Sequence, residues 1–190
     1  MRRHCFPKAY ADAVARLRVP AGFALVAVFG WWARPSVASL AVGLPVAAAG
    51  LALRAWAAGH LAKNERLAVS GPYAWCRNPL YLGTVVVAAG LALAARQPGL
   101  AALFAAVFVG VYLPVVELEE QHLRKLFPQY EEYAARVPWL WPRRPGEGSA
   151  GGTACATSRF QWALYRKNQE YNALAGFLAG VAWLAWRAWS

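Results

Sequence analysis

Glu117, Glu119, Glu120 and His122 fall within six consecutive residues at the end of a long apolar run. On a helix Glu117 and Glu120 share one face, and Glu119 and His122 share the neighbouring one. Carboxylates this close to an apolar span are costly unless paired or functional. The plain alternative is a solvated acidic face on a surface helix. A second block, SGPYAWCRNPLYLG at residues 70–83, sets two prolines and two glycines around Arg77 and Asn78. Proline fixes φ and restricts the residue before it, while Gly71 and Gly83 allow close backbone approach. Pro79 suits the first turn of a helix with Asn78 as its N-cap. Taken alone, this block reads as a rigid helix entry with Tyr73, Trp75 and Tyr81 as interfacial aromatics. A third block, RFQWALYRKNQEYN at residues 159–172, brings Asn168, Glu170 and Asn172 to the threshold of another apolar run.

Other polar signals carry less. Cys5, Cys76 and Cys155 have no metal-ligand spacing and read as free thiols, and no ligand cluster for a metal is present. GEGSAG at residues 146–151 fits a nucleotide-loop pattern, but no strand precedes it and no βαβ unit surrounds it. The formal charge of +11 comes without a basic helix face or an aromatic-basic module, so a nucleic-acid partner is not expected. Arg54 near an apolar run reads as a snorkelling side chain, and His60 as an interfacial histidine.

The elements that must position these blocks are membrane helices. Of 190 residues, 59% are hydrophobic and 15% charged, and the polar residues cluster between apolar runs instead of forming a coat. The runs are Val19 to Ala33, Ser36 to Leu53, Leu80 to Ala95, Leu100 to Val116 and Ala173 to Trp186. Short turns join the first to the second and the third to the fourth, which predicts two helical hairpins. Neighbouring helices must satisfy the carbonyls freed by Pro20, Pro45 and Pro114. The first 18 residues, basic but lacking an apolar h-region, read as a short amphipathic helix at the interface.

The expected fold is therefore all-α: a polytopic, integral membrane protein of about five spans. With the N-terminus inside, Arg34, Arg96 and Arg187 fall outside, and the rest of the 20 Lys and Arg residues fall inside. All three polar blocks then meet at the cytoplasmic membrane surface, among membrane lipids whose anionic headgroups the positive charge attracts. We read residues 1–190 as one membrane-embedded domain, with a core at 60–142, a Gly/Ser-rich linker at 143–158 and a C-terminal helix at 159–190.

The order SGPYxxxRNPxYxG, a hairpin of two spans, then EExxLxxxFxxxYxxYxxxVPxxxP resembles the isoprenylcysteine carboxyl methyltransferase and phospholipid methyltransferase family of integral membrane enzymes. Gly71, Pro72, Tyr73, Arg77, Pro79, Tyr81 and Gly83 carry the first motif. Glu119, Glu120, Leu123, Phe127, Tyr130, Tyr133, Val137, Pro138 and Pro142 carry the second. The resemblance implies S-adenosylmethionine as methyl donor and a lipophilic or membrane-borne acceptor. It implies a cofactor pocket on the cytoplasmic face lined by Glu65, Arg66, Leu67, Ala68, Tyr73, Asn78, Pro79, Leu80, Tyr81 and Glu119. Glu119 would meet the cofactor's ammonium group, and an aromatic face its sulfonium. Glu170, Asn168 and Glu120 are the candidate catalytic residues on the acceptor side.

The chain departs from the family pattern at Asn78, where many members have His, at Pro128, at Trp139 and at Val115. Carboxyl methyltransferases carry an Arg at the position of Val115, so amine and thiol acceptors stay open, a phospholipid amine among them. The alternatives outside methyl transfer are a sterol-reductase-like enzyme using a nicotinamide cofactor and a non-catalytic membrane scaffold. The sequence fixes neither the acceptor nor the oligomeric state.

Overall fold

The computed structural model describes residues 6–142 and 159–189, and among them every regular element is helical. The expected linker and the cysteines at 5 and 155 lie outside the described residues. The helices are α1 (Lys8–Trp32), α2 (Val37–Ala58), α3 (Pro79–Ala95), α4 (Pro98–Val107), α5 (Leu113–Leu126), α6 (Tyr130–Arg136), α7 (Trp162–Lys167) and α8 (Tyr171–Trp189). A 3-10 turn covers Gly71–Ala74, and a π turn at Phe108–Tyr112 joins α4 to α5.

Two helices are long and apolar enough to cross a membrane: α2, and the continuous Pro98–Leu126 rod of α4, π turn and α5. A third is α1, if its two halves, bent by 52° near Pro20, count as one span. Proline clashes with the carbonyl four residues back, which accounts for the bend. The segment before it, expected as an interfacial helix, is the first half of α1. α3 is apolar but shorter, with 17 residues. The fourth run extends as a helix well past Val116 and carries Glu117 to Glu120 on its last turns.

The second expected hairpin forms, with α3 packed on α4, but the first does not. α1 packs on α4, the π turn and α5 and barely meets α2. The most extensive pairing joins α2 and α3, across the polar stretch 59–78. Glycine explains it. Gly43 faces Gly90 and Gly50 faces Gly83, and a Cβ on Gly43 or Gly50 would stand 2.5 and 2.7 Å from the partner's carbonyl oxygen. The two backbones therefore touch, an arrangement that apolar helices in lipid favour because packing replaces the missing hydrophobic drive. By contrast Gly176 and Gly180 on α8 meet no neighbour among the described residues.

One end of the bundle is tied by caps. Ser36 caps α2 reciprocally with Ser39, whose hydroxyl also donates to Ala94 O at 2.8 Å. Arg34 N donates to Ala95 O at 3.0 Å, and Arg96 closes α3 in the left-handed region at φ 54°. Arg187 donates to Ala33 O and Trp31 O, at 2.8 and 3.2 Å, which satisfies carbonyls at the C-terminus of α1. Arg34, Arg96 and Arg187 thus gather at this end, as the charge pattern predicts. The Tyr10 hydroxyl of α1 donates to Gly110 O at 2.7 Å, in the π turn just before Pro114.

Candidate functional site

The opposite end holds the three polar blocks. Its base is the loop between α2 and α3. Gly71 adopts φ +59°, and a Cβ there would collide with the His60 ring at 2.7 Å, so both conformation and space require glycine. His60 is buried, with Nδ1 2.9 Å from Trp56 O, and serves as the floor under this turn. The turn is fastened to the segment after α6. Arg77 N donates to Pro138 O at 2.9 Å, Asn78 Nδ2 to Trp139 O at 3.0 Å, and Tyr133 Oη to Tyr73 O at 2.8 Å. Asn78 occupies the N-cap position of α3, but its side chain bonds across to Trp139 and not to its own helix.

Tyr73 is the point where the blocks converge. Its phenol is buried, and burial pushes its pKa well above the ordinary range. Cys76, Glu119 and Glu170 lie within electrostatic reach and push it the same way, while Arg54 opposes them. These residues come from α2, from the 70–78 loop, from α5 and from the turn before α8. Burial also pushes the Cys76 thiol up.

Glu170 is held in a fork. Arg54 Nε and Nη2 donate to its two oxygens at 3.2 and 2.7 Å. Arg54 Nη1 donates to the Thr84 hydroxyl, whose own proton goes to Leu80 O at 3.0 Å. Sequence reasoning treated Arg54 as a snorkelling side chain and missed Thr84. Neither block signals this pair on its own, since Glu170 has Arg166 and Lys167 close to it in sequence.

Glu119 and Glu120, adjacent on α5, face different neighbours. Glu119 is exposed on the Tyr73 side. Glu120 Oε1 lies 3.0 Å from Arg77 Nη1, with side chains only 16% and 4% exposed. Tyr130 bonds to this pair and lies under Arg124, whose guanidinium carbon is 5.3 Å from the ring centroid. Burial, reinforced by Glu120, pushes the Tyr130 phenol up to about 12. This buried set fastens the 70–78 loop to α5 and α6.

The other expected site residues lie as follows. Asn168 Nδ2 donates to Ala58 O and Leu61 O at 2.9 and 2.8 Å, closing the C-terminus of α2. Glu65 and Arg66 are exposed, and Glu65 pairs with Lys167, which lowers its pKa. Leu67 packs on Tyr130 and Tyr133, and Ala68 is half-buried beside it in sequence. Pro79 is buried at the first turn of α3, Leu80 holds Thr84, and Tyr81 meets Tyr112 edge-on at 6.3 Å. The structure thus gathers Tyr73, Glu119 and Glu170 and sets Glu65, Glu120 and Asn168 in other contacts.

The family model described as phospholipid methyltransferase matches residues 21–130. The chain is 34% identical over 117 residues to the cobalt-zinc-cadmium resistance protein CzcN of Cupriavidus metallidurans, covering 60% of this chain and 53% of that one. It is 34% identical over 110 residues to the nickel-cobalt-cadmium resistance protein NccN of Alcaligenes xylosoxydans xylosoxydans, covering 57% and 52%. The matched region thus spans about half the length of these curated relatives. No solved structure matches the chain.

Proposed function

Because the chain belongs to the phospholipid methyltransferase family, we propose that it is an S-adenosylmethionine-dependent methyltransferase of the membrane, acting on a lipophilic acceptor. The observation that carries this reading is the meeting of Glu119, Glu170 and Arg54 around Tyr73. S-adenosylmethionine bears a sulfonium and an ammonium against one carboxylate. Its cationic groups suit a carboxylate such as Glu119. The cofactor supplies an activated methyl group, transferred as the S–CH3 bond breaks with its electron pair left on sulfur.

What the chain supplies is position and surroundings. Glu119, exposed beside Tyr73, is placed to hold an ammonium by a charge-assisted bond. The Tyr73 ring offers a face to a cation, and its raised pKa keeps the phenol neutral. Gly71 and Pro72 let backbone approach a bound ring closely. Glu170 is held in the Arg54 fork on the side toward α8, where an acceptor arrives. Direct displacement asks mainly for such orientation and exclusion of water.

We further propose five spans, with the Tyr73 end cytoplasmic. α3 lies antiparallel to α2 along the glycine contacts, and α8 is bonded to the rest of the bundle near both its ends, through Glu170 and Arg187. Both therefore accompany α2 across its length. The two relatives are named for metal resistance, and we place this chain's methyl transfer in a similar setting, as modification of a membrane constituent. The test is transfer of labelled methyl from S-adenosylmethionine to total membrane lipids and thiols by the purified chain, with identification of the product. No cofactor binding by calorimetry and no labelled product would overturn the reading and leave a non-catalytic scaffold.

A further inference from the structure

The geometry points to Arg54 as the residue that receives an anionic oxygen of the acceptor's headgroup, a carboxylate or a phosphate, between α2, α3 and α8. This assignment rests on the methyltransferase reading and names the acceptor chemistry of the same site.

An arginine within an apolar helix is expensive and is retained where it meets a partner. Arg54 sits one turn before the end of α2, close enough to snorkel into headgroups. It is instead laid across α3. Its stem crosses Gly83, where a Cβ would stand 2.6 Å from Arg54 Cγ. The glycine of the NPLYLG stretch is thus the channel through which this side chain reaches the site.

The donors can be counted. A guanidinium has five N–H groups. Two go to Glu170 and one to Thr84. That leaves one on each terminal nitrogen without a protein partner among the described residues. Thr84 is itself committed to Leu80 O, so the fork is fixed in orientation. Arg54 is also the more open member of its pair, its side chain 23% exposed against 10% for Glu170. An arriving group therefore meets N–H donors and positive charge first. Both Glu170 oxygens accept from Arg54, so Glu170 anchors the fork. An anionic oxygen matches the unused donors, whereas an ammonium, which has no acceptor, cannot use them. Because Arg54 is also within electrostatic reach of Tyr73, a headgroup held there lies beside the proposed cofactor side.

The experiment measures equilibrium binding of oleate, oleyl phosphate and oleylamine to the purified full chain in non-ionic detergent. Calorimetry with S-adenosylmethionine is run on the same samples. Wild type is expected to bind one of the two anions at least about tenfold more tightly than oleylamine, and the preferred anion distinguishes carboxylate from phosphate. Arg54→Gln should lose about 10–150-fold for that anion, the loss expected of charge-assisted bonds. Arg54→Lys should regain only part of it, since the fork is gone. Glu170→Gln should bind the anion as well as wild type or better, because it frees the fork. Equal binding of the three amphiphiles by wild type would overturn the assignment. So would a loss in Glu170→Gln equal to that in Arg54→Gln, which is what a pair that merely fastens α8 would give. Retained anion preference in a chain that does not bind S-adenosylmethionine would remove the methyltransferase reading and leave Arg54's role standing.

Discussion

Removing one member of the Arg77–Glu120 pair should cost far more than removing both. The two groups are 3.0 Å apart, and their side chains are 4% and 16% exposed. Arg77 Nε has no hydrogen-bond partner among the described residues, so Glu120 is its main compensation. Glu120→Gln leaves a buried guanidinium opposite a neutral amide. Arg77→Met leaves a carboxylate with the Tyr130 phenol and, at 4.0 Å, Arg124 nearby. Breaking a buried pair from one side typically costs about 3–5 kcal/mol, whereas replacing both partners by apolar groups is often neutral. The double variant Arg77→Met/Glu120→Met should therefore recover most of either loss. The assay is unfolding of the four proteins in mixed dodecyl maltoside and SDS micelles, followed by circular dichroism. The expected coupling energy is about 3 kcal/mol. S-adenosylmethionine affinity should follow stability, falling in each single variant and returning in the double, because the pair positions the 70–78 loop and Glu119 without touching ligand. Losses that add to within about 0.5 kcal/mol would refute the pairing argument. A double variant that is stable but does not bind cofactor would assign Glu120 a direct role.

Other outcomes follow from the same geometry. Glu119→Ala should leave the fold intact and weaken S-adenosylmethionine binding by about 10–150-fold, so unchanged affinity in calorimetry would remove Glu119 from the pocket. Engineered cysteines near Gln97 and Glu131 should react with an impermeant thiol reagent from opposite sides of the membrane, and labelling of both from one side would refute five spans. Tyr10→Phe should cost about 1 kcal/mol in the same micellar unfolding assay, since it removes the hydroxyl's bond to Gly110 O. Tyr130 has a pKa raised from 10.0 to about 12, so its stabilising share is complete below pH 10 and is lost as pH rises through about 12. Tyr130→Phe should flatten that alkaline decline in melting temperature, and an unchanged slope would place the titrating group elsewhere.

The parts of this fold that are legible in the sequence are those fixed by local chemistry. The apolar runs become helices, with boundaries at Arg34-Pro35 and Gln97-Pro98, because proline and the αL residue Arg96 stop a helix wherever they stand. The end of the bundle that holds Arg34, Arg96 and Arg187 is legible from charge. Pairing is not. Short connections favour α1 against α2, yet α2 chooses α3, because Gly43, Gly50, Gly83 and Gly90 offer matched seams seven residues apart on each helix. Those glycines are visible one at a time, but their register appears only when the two helices are laid side by side. The span between α4 and α5 is hidden for a similar reason. Its π turn lies just before Pro114 and accepts a bond from a hydroxyl 100 residues earlier.

The site divides along the same line. Tyr73 and Glu119 stand in motifs whose spacing announces them. The partners that decide what each does are distant in sequence: Arg54 lies 116 residues from Glu170, and Asn168 reaches Ala58 across 110. Glu120 illustrates the limit most sharply. Beside Glu119 in sequence, it turns by the helical angle to Arg77 and becomes a fastening, while its neighbour stays at the Tyr73 face.

The residues around Tyr73 also differ in where they fall relative to the family match. Tyr73, Glu119 and Arg54 lie inside residues 21–130, and Glu170 lies outside. On the proposed reading the cofactor side is built from the matched region, whereas the acceptor side depends on a carboxylate brought by the C-terminal helix. That helix is not loosely attached. Gln161 N bonds Gly59 O at 3.0 Å, Asn168 closes α2, and Arg187 closes α1. A segment fastened at both ends can set the fork of Arg54 to a fixed angle without altering Tyr73 or Glu119. A chain that kept the matched region but carried another group in place of Glu170 would then retain methyl-donor binding and change the headgroup it accepts.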